Sequence, residues 1–271
     1  MGTLYVVATP IGNLEDVTLR ALRVLREVSL IAAENTLTTR KLLSHYEIKA
    51  RLISYTEHNS QARIPALLAA LQDGDIALVS EAGMPAISDP GLELVAAAIA
   101  EGITVVPLPG PSAVTSAVAV SGLPARQFTY VGFLPRRSGE RKRLLQSLAG
   151  EPRLLVAFES PHRLRATLAD LLAMLGDRRI AVCRELTKLY EEVYRGRISD
   201  AIEHFREPRG EFTLVIEGAG DAPAALDEAT LKTELQRLRA AGKGARDASA
   251  EVADRYGLSR RAVYRLWLEE S

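Results

Sequence analysis

Short apolar runs alternate with amphipathic segments along the first 120 residues of the chain. The apolar runs, which are typical of buried strands, are Leu4 to Ala8, Leu30 to Ala33, Arg51 to Tyr55, Ile76 to Val79 and Ile103 to Val106. Between them, helical spacing and capping residues predict helices over Leu19 to Val28, Thr39 to His45, Ile64 to Leu71, Gly91 to Gly102 and Ala113 to Val120. Strands that alternate with helices through short connections predict a mostly parallel sheet covered on both faces.

The pattern changes at the turn Ser121-Gly122-Leu123-Pro124. Beyond it we predict strands at Phe128 to Phe133, Leu154 to Phe158, Ile180 to Cys183, Glu192 to Tyr194 and Phe212 to Ile216, and helices at Arg141 to Leu148, Pro161 to Leu175 and Ser199 to Phe205. Two of these strands are separated by only a few residues in the sequence, so the second sheet is expected to be mixed and partly antiparallel. The sequence therefore predicts an α/β protein with two lobes, at residues 1–120 and 124–220, and a ligand cleft between them.

Residues 226–271 form a third region, which follows a linker rich in Ala, Asp and Pro. The helices predicted over Ala245 to Tyr256 and Arg260 to Leu268 are joined by a short glycine-containing turn, which is typical of a helix-turn-helix. Arg260 and Arg261 belong to the second of these helices. Contact with nucleic-acid phosphates and a solvated helix face are equally good explanations of these arginines.

The overall composition, 47% hydrophobic and 25% charged, is that of an ordinary globular protein. The 34 basic and 34 acidic residues cancel, so contact with a polyanion must come from a local patch. Neither a signal sequence nor an apolar segment of the ~20 residues that a membrane span needs is visible, and we expect a cytoplasmic protein with no membrane partner. The single cysteine, Cys183, excludes an internal disulfide and is expected to be a buried thiol.

The loop after the run Ile76 to Val79 is the first candidate for a small-molecule site. It carries Gly83 and Pro85 and is expected to lead into a helix with Asp89 as N-cap and Pro90 in the first turn. Ligands of open α/β sheets bind outside the carboxyl ends of strands, and this loop is about twice the usual length. The alternative is an ordinary connection without a ligand.

Sequence signatures of several other kinds of site are missing. The sequence has no Gly-Lys-Ser/Thr phosphate loop, no Gly-x-Gly-x-x-Gly after the first strand, no Gly-x-Ser-x-Gly elbow and no Cys/His cluster with metal-ligand spacing. We therefore expect no metal, and a site built chiefly from backbone and Pro/Gly loops. Such a site suits a zwitterionic ligand whose carboxylate binds helix N-terminal amides.

A series of motifs in a fixed order carries a resemblance to a known family. The motifs are Val7 to Leu14, Ala32 to Glu34, Ser80 to Gly91, Val106 to Ser112, Gly132 to Pro135, Phe158 to Arg163, Arg184 to Lys188 and Gly210-Glu211. Together they resemble the tetrapyrrole methylase superfamily, and the Phe-Glu-Ser-Pro-His-Arg and Arg-Glu-Leu-Thr-Lys runs resemble its rRNA-methylating branch. The likeness covers nearly the whole chain, including the helical tail.

The resemblance implies an S-adenosylmethionine-dependent methyltransferase that modifies the ribose 2′-hydroxyl of a cytidine in 16S rRNA of the small ribosomal subunit, and that forms a homodimer. It places the methyl donor in the interdomain cleft, against Pro10, Gly83, Met84, Ala86, Ile87, Ser112, Ala113 and Phe158. The candidates for accepting the hydroxyl proton are Glu34, Glu185 and Lys188, each of which is also explained as half of a surface ion pair. Arg184 is expected to hold a phosphate beside the target ribose.

Two of the motifs depart from the family pattern. Ala33-Glu34-Asn35-Thr36-Leu37 stands where the family usually has Ala-Glu-Asp-Thr-Arg, and Ser80 to Pro85 has Glu and Met where the family has Asp and Thr. Loss of an acid and a base from one loop is either a compensated exchange of a charge pair or the loss of a substrate contact. The intact run Arg184 to Lys188 favours compensation.

The strongest local basic patch is the run Arg136 to Arg143, which RNA-backbone contact explains better than a solvated helix start does. Its candidate RNA-binding residues are Arg136, Arg137, Arg141, Lys142 and Arg143. Two other functions stay open. A small-molecule methyltransferase acting on a tetrapyrrole predicts no RNA affinity, and a non-catalytic ribosome-binding protein predicts subunit binding without methyl transfer.

Overall fold

The computed structural model describes residues 1–219, 228–256 and 260–269. The chain divides into two compact units, Met1–Gly218 and Ala219–Ser271. Both predicted α/β lobes belong to the first unit, and the predicted boundaries between lobes remain predictions. The linker segment 220–227 and the turn at 257–259 lie outside the described residues.

The first sheet is fully parallel, as the alternating pattern predicts. Its strands are β1 (Thr3–Val7), β2 (Leu30–Ala33), β3 (Leu52–Ser54), β4 (Ile76–Val79) and β5 (Thr104–Leu108), in the spatial order β3-β2-β4-β1-β5. Every residue of β2 and β4 is buried, because helices cover both faces of the sheet. Alternate residues of these two strands belong to two separate cores: Ile31, Ala33, Ala77 and Val79 to one, and Leu30, Ala32, Ile76 and Leu78 to the other.

Five helices accompany the first sheet: α1 (Leu19–Glu27), α2 (Thr36–His45), α3 (Ser60–Asp73), α4 (Leu92–Ala100) and α5 (Ala113–Val120). Helix α5 differs from the others because its buried residues Val114 and Ala117 pack against the second sheet. This helix therefore ties the two sheets together inside the first unit. Its N-terminus faces the space between them.

The second sheet is mixed, which confirms the prediction. Its strands are β6 (Phe128–Phe133), β7 (Leu154–Glu159), β8 (Arg179–Arg184), β9 (Glu192–Arg197) and β10 (Phe212–Ile216), in the order β6-β7-β10-β8-β9. Only β6 and β7 pair in parallel, while β10 pairs antiparallel with both β7 and β8. The helices α6 (Ser138–Ser147), α7 (Pro161–Leu175) and α8 (Ile198–His204) supply residues to one buried core on this sheet.

The second unit contains the three helices α9 (Glu228–Ala240), α10 (Ala245–Tyr256) and α11 (Arg260–Glu269). They share a small core that includes Leu235, Val252 and Trp267. The guanidinium of Arg239 lies 4.3 Å from the centre of the Trp267 ring, a cation–π contact. Among the residues that the structure describes, no helix is long and apolar enough to cross a membrane.

Candidate functional site

A cavity of about 740 Å³ opens between the two sheets of the first unit. The loops that follow β4 and β5 form one wall, and residues of β6, β7 and β10 form the other. Much of the lining is apolar or aromatic: Met84, Ile87, Phe128, Tyr130, Phe133 and Phe158. A volume and lining of this kind suit a small organic molecule.

The loop after β4 is held in an unusual backbone conformation. Gly83, Ala86, Ser88 and Gly91 all have positive φ angles, of 79°, 67°, 63° and 147°. For Ala86 and Ser88 this conformation costs free energy, and it persists only where the surroundings impose it. Gly83 is anchored by its N–H and its carbonyl to the backbone of Thr9, at 3.0 and 2.9 Å. The loop is therefore a rigid wall of the cavity.

Asp89 does not cap helix α4, which corrects the sequence prediction. The N-cap is Gly91. This position suits glycine, because its φ is 147° and a Cβ there would lie 2.8 Å from Leu78 Cδ2. Asp89 instead lines the cavity. Burial, followed by the charges of Glu34 and Glu81, raises the pKa of Asp89 to about 7, although a hydrogen bond with Ser80 opposes the shift.

Glu34 and Glu81 also line the cavity, and their positions are fixed by hydrogen bonds. Glu34 Oε2 accepts from the Glu81 N–H at 3.0 Å. Glu81 Oε1 accepts from Asn35 Nδ2 at 3.0 Å and from Thr38 Oγ1 at 3.1 Å. Asn35 is also the N-cap of α2, where its Oδ1 accepts from two backbone N–H groups. Two positions that depart from the family pattern, 35 and 81, are thus in direct contact.

Leu37, another of the four departures, has a different environment. Its side chain is 68% exposed, and Leu37 does not line the cavity. Of these positions, the structure places Asn35 and Glu81 in contact. Asn35 Nδ2 donates a hydrogen bond to Glu81 Oε1, which a carboxylate at position 35 could not donate.

Six of the eight residues expected to contact a methyl donor line the cavity: Gly83, Met84, Ile87, Ser112, Ala113 and Phe158. Pro10 and Ala86 do not line it, although Ile11 and Ile87 beside them do. Ser112 is the N-cap residue of α5, and its side chain makes no capping hydrogen bond. The first N–H groups of α5 are therefore available to an anionic group of a ligand.

The three candidates for accepting a proton are not gathered at one point. Glu34 lines the cavity, whereas Lys188 Nζ lies 3.0 Å from Glu185 Oε1 and 3.0 Å from Glu211 Oε2. Burial lowers the pKa of Lys188, but the hydrogen bonds to Glu211 and Glu185 outweigh it and raise the pKa. Burial likewise raises the pKa of Glu185, and the hydrogen bonds from the Glu211 N–H and Lys188 outweigh it and lower the pKa. Both groups are charged at neutral pH, which suits an ion pair better than a proton acceptor.

The basic run contains one structural arginine, and this corrects the assignment of Arg141 as an RNA contact. Arg141 is 4% exposed, and its Nε and Nη2 lie 2.8 and 2.6 Å from Asp170 Oδ2. Arg136, Arg137, Lys142 and Arg143 are exposed. Arg137 Nη1 lies 3.4 Å from the Glu140 carboxylate, and Lys142 Nζ lies 3.4 Å from Asp170 Oδ1.

The remaining basic candidates are in different settings. Arg184 is partly buried, and it donates to the Arg209 carbonyl at 2.7 Å and to Glu192 Oε2 at 3.3 Å. These contacts occupy much of its guanidinium and argue against a direct phosphate contact. Arg260 is exposed at the start of α11. The side chain of Arg261 lies outside the described part of the chain.

A second group of cavity residues was missed by the sequence reasoning. Glu159, whose side chain is fully buried, accepts from Arg163 Nη2 at 2.9 Å and from Thr167 Oγ1 at 2.5 Å. The Ser88 and Tyr130 hydroxyls, both in the cavity lining, lie 2.6 Å apart. Arg163 and Thr167 lie four residues apart on one face of α7, and Glu159 ends β7 shortly before this helix. This spacing was the available signal. Among the described residues, no group of His, Cys, Asp and Glu is placed to hold a metal ion.

Known proteins resemble this chain in sequence and in fold. Residues 3–202 match the family described as Tetrapyrrole (Corrin/Porphyrin) Methylases. A protein of Halalkalibacterium halodurans named ribosomal RNA small subunit methyltransferase I is 46% identical over 276 aligned positions, which cover 99% of this chain and 96% of the relative. A protein of the same name from Thermotoga maritima is 54% identical and covers 80% of this chain and 99% of its own length.

Solved structures show the same fold in distant proteins. A uroporphyrin-III C-methyltransferase of Thermus thermophilus, complexed with S-adenyl homocysteine, aligns with a TM-score of 0.57 at 21% identity, over 80% of this chain and 97% of that one. A diphthine synthase aligns with a TM-score of 0.64 at 14% identity, over 80% of this chain and 90% of that one. At these identities the likeness concerns the fold alone.

Proposed function

Since the chain belongs to the Tetrapyrrole (Corrin/Porphyrin) Methylases family, we propose that it transfers a methyl group from S-adenosylmethionine to the rRNA of the small ribosomal subunit. The observation that carries the proposal is the cavity between the two sheets, in a chain whose relatives named ribosomal RNA small subunit methyltransferase I align over nearly its full length. The more specific proposal is methylation of a cytidine ribose 2′-hydroxyl in 16S rRNA, in the cytoplasm.

The cavity residues fit the chemical groups of this methyl donor. Aromatic and aliphatic side chains such as Phe158 and Ile87 offer apolar surface for a purine ring. The free amides at the start of α5, next to Ser112, suit the carboxylate of the amino-acid part. The carboxylates of Glu34 and Glu81 offset the positive charge of a sulfonium or an ammonium group. When bound, the donor supplies an activated methyl group.

The chain's own task is then mainly to align the reacting atoms. The positive-φ loop around Gly83 and the sheet edge under it are rigid, so they hold one partner in place while the RNA binds. Correct alignment of two reactants contributes up to roughly 7 to 11 kcal/mol to a reaction barrier. The exposed cations Arg136, Arg137, Lys142 and Arg143 are proposed to bind RNA phosphates, since they lie in one run of an otherwise neutral chain.

We also propose that the protein acts as a homodimer. Leu189 and Tyr190, in the loop between β8 and β9, are 88% and 72% exposed. Adjacent apolar side chains exposed to this degree support contact with another protein surface. Sedimentation of the wild-type protein and of a Leu189→Glu variant tests this proposal, because a dimer that uses this loop dissociates when a charge enters it.

Methyl transfer to ribosomal subunits tests the proposed function directly. Small subunits that lack the modification receive tritiated methyl groups from S-adenosylmethionine, and large subunits serve as the matched control. Label found only in small-subunit rRNA, at a nucleotide whose 3′ linkage then resists alkaline cleavage, is the expected result. Label that remains sensitive to alkali would refute the ribose assignment, and absence of label would refute rRNA methylation.

A further inference from the structure

Phe133, the last residue of β6, is an aromatic side chain of the cavity lining that remains largely accessible. It is 58% exposed, although its ring centre lies 5.4 Å from that of Phe158. Single apolar side chains at a protein surface are common and need no special explanation. Phe133 differs from such residues in the way in which the chain places it and holds it.

A β-bulge in β6 brings Phe133 to the cavity side of the second sheet. Side chains alternate between the two faces of a strand, so residues 130 and 133 would ordinarily lie on opposite faces. The pairing of β6 with β7 shifts register between Tyr130 and Gly132, and the rings of Tyr130 and Phe133 both lie 5.4 Å from the ring of Phe158. Without the extra residue, Phe133 would face the apolar core under α6 and α7, where a phenyl ring is usually buried.

The backbone that follows Phe133 is fixed by two arginines. Arg163 Nη2 donates to the Leu134 carbonyl at 2.6 Å and to the buried Glu159 carboxylate at 2.9 Å. Arg141 Nη1 donates to the carbonyls of the two residues after Leu134, at 3.3 and 3.4 Å. A phenyl ring on a fixed backbone loses little conformational freedom when a ligand covers it, so more of the contact free energy remains for binding.

Exposed cations follow the ring directly in the chain. Arg136 and Arg137 are the third and fourth residues after Phe133, and both are exposed. An aromatic ring beside cations is typical of surfaces that bind single-stranded nucleic acid, because bases stack on the ring while the cations bind the phosphates. Bases of a paired helix already stack on each other, so they present no free face to such a ring.

Given the proposed methylation of rRNA, on which this rests, we propose that Phe133 is the stacking surface for an unpaired nucleobase of the RNA substrate, at or next to the methylated nucleotide. The ring belongs to the cavity wall formed by β6 and β7. Stacking there holds the nucleotide beside the cavity in which the methyl donor is proposed to bind, while Arg136 and Arg137 bind the adjoining phosphates. The substrate RNA is therefore single-stranded at this position.

Kinetics of methyl transfer to small subunits test the role of the ring face. Phe133→Leu keeps an apolar side chain without a ring, whereas Phe133→Trp keeps the ability to stack. Ile99→Ala is the matched control, since Ile99 lies on α4, outside the cavity lining, and is 62% exposed. We expect Phe133→Leu to lower kcat/KM for subunits about 10- to 100-fold, mainly through KM, and the other two variants to stay within about threefold of wild type.

Tryptophan fluorescence reports the stacking itself, because an indole ring is quenched when a base stacks on it. The chain has one natural tryptophan, Trp267, which lies in the second unit, so the wild-type protein supplies the background. The probes are a single-stranded RNA of about ten nucleotides and the same RNA annealed to its complement. We expect the single strand to quench Phe133→Trp more than wild type, and the duplex to affect both proteins equally. Equal quenching of the two proteins by the single strand would overturn the proposal.

Two binding measurements separate an RNA base from other occupants of the ring. The affinity of Phe133→Leu for S-adenosylhomocysteine, measured by calorimetry, is expected to lie within about threefold of wild type. A loss of about tenfold or more would show that the ring holds the purine of the donor, and would overturn the proposal. Sedimentation of Phe133→Leu is expected to match wild type, and a shift to a smaller species would show that a second copy of the chain covers the ring instead.

The outcomes for this proposal and for the proposed function are distinct. If wild type methylates rRNA and Phe133→Leu does so with an unchanged kcat/KM, the proposed function stands and the stacking role fails. A loss in Phe133→Trp as large as that in Phe133→Leu would also exclude stacking, because indole keeps the ring face. If wild type transfers no methyl group to rRNA, the proposed function fails, and the fluorescence of Phe133→Trp against wild type then decides whether the ring binds RNA bases.

Discussion

Replacement of Arg141 by Met should destabilise the protein strongly although Arg141 belongs to a run of exposed cations. The change removes a guanidinium that is 4% exposed and leaves the Asp170 carboxylate, itself 10% exposed, without its main partner. Arg141 also donates to the carbonyls of Pro135 and Arg136, at 3.3 and 3.4 Å, and so holds the chain segment that enters α6. All of these contacts are lost in the variant.

The expected cost follows from what remains around Asp170. Removal of one partner of a buried ion pair typically costs about 3 to 5 kcal/mol, because a charge stays buried without compensation. Ser138 Oγ at 3.2 Å and Lys142 Nζ at 3.4 Å still contact Asp170, so the cost should lie near the lower end, about 3 kcal/mol. The double variant Arg141→Met/Asp170→Leu should recover most of this loss, because neither charge then stays buried.

Urea unfolding, followed by far-ultraviolet circular dichroism, measures the change in the free energy of unfolding. The matched control is Arg137→Met, in the same run, since the Arg137 side chain is 85% exposed and lies 3.4 Å from the Glu140 carboxylate. That change should cost less than about 1 kcal/mol. In binding of rRNA, Arg137→Met should lower the slope of log affinity against log salt by about one, while Arg141→Met, measured where it is folded, should leave the slope unchanged.

The opposite pattern would refute this reasoning. A stable Arg141→Met protein with a reduced salt slope would mean that the guanidinium reaches RNA, and that the Asp170 contact is incidental. Additive costs in the double variant would show that Arg141 and Asp170 do not interact energetically, since interacting neighbours depart from additivity.

Three further predictions concern stability. Folding raises the pKa of Asp89 from 3.8 to about 7, so the contribution of its protonation to the free energy of unfolding is complete below pH about 4 and is lost as pH rises through 7. The urea midpoint of Asp89→Asn, measured relative to wild type, should therefore increase between pH 5 and 8. Asn35→Asp should lower the free energy of unfolding by about 1 to 3 kcal/mol, since it replaces the 3.0 Å hydrogen bond to Glu81 with a repulsion. In a double-mutant cycle, adding Glu81→Gln to this variant should restore the lost stability. Gly12→Ala should cost about 1 to 3 kcal/mol, because its Cβ overlaps the Lys188 side chain, and limited proteolysis should cut the loop around Lys188 faster.

The hydrophobic pattern predicted most of the fold because the strands are short and completely buried. The strands Leu30–Ala33 and Ile76–Val79 were predicted to the residue, since both faces of each are covered and the apolar run ends where the strand ends. The start of α2 was predicted three residues late. Asn35 caps this helix, whereas the sequence pattern was interpreted only as the loss of a charge at position 35.

The site was harder to predict because its decisive contacts join residues that are distant in sequence. Asp89 followed by Pro90 has the local pattern of a helix start. In the structure the N-cap is Gly91, two residues later, where φ is 147°. Arg141 is one of several cations in its run, and its partner Asp170 lies 29 residues away. Local patterns give the type of element well, whereas they contain no information on which charge becomes buried.

The substitution at position 35 changes the contact between α2 and the loop after β4. Asn35 Nδ2 donates a hydrogen bond to Glu81 Oε1 at 3.0 Å, while Asn35 Oδ1 accepts from the N–H groups of Leu37 and Thr38 at the start of α2. One amide side chain therefore caps the helix and also holds the loop. An aspartate, as in the usual family pattern, could accept from the two N–H groups, but as a carboxylate it could not donate to Glu81. The capping function survives the exchange in either direction, whereas the hydrogen bond to Glu81 needs the amide, so the contact with Glu81 is the part of the structure that depends on Asn35.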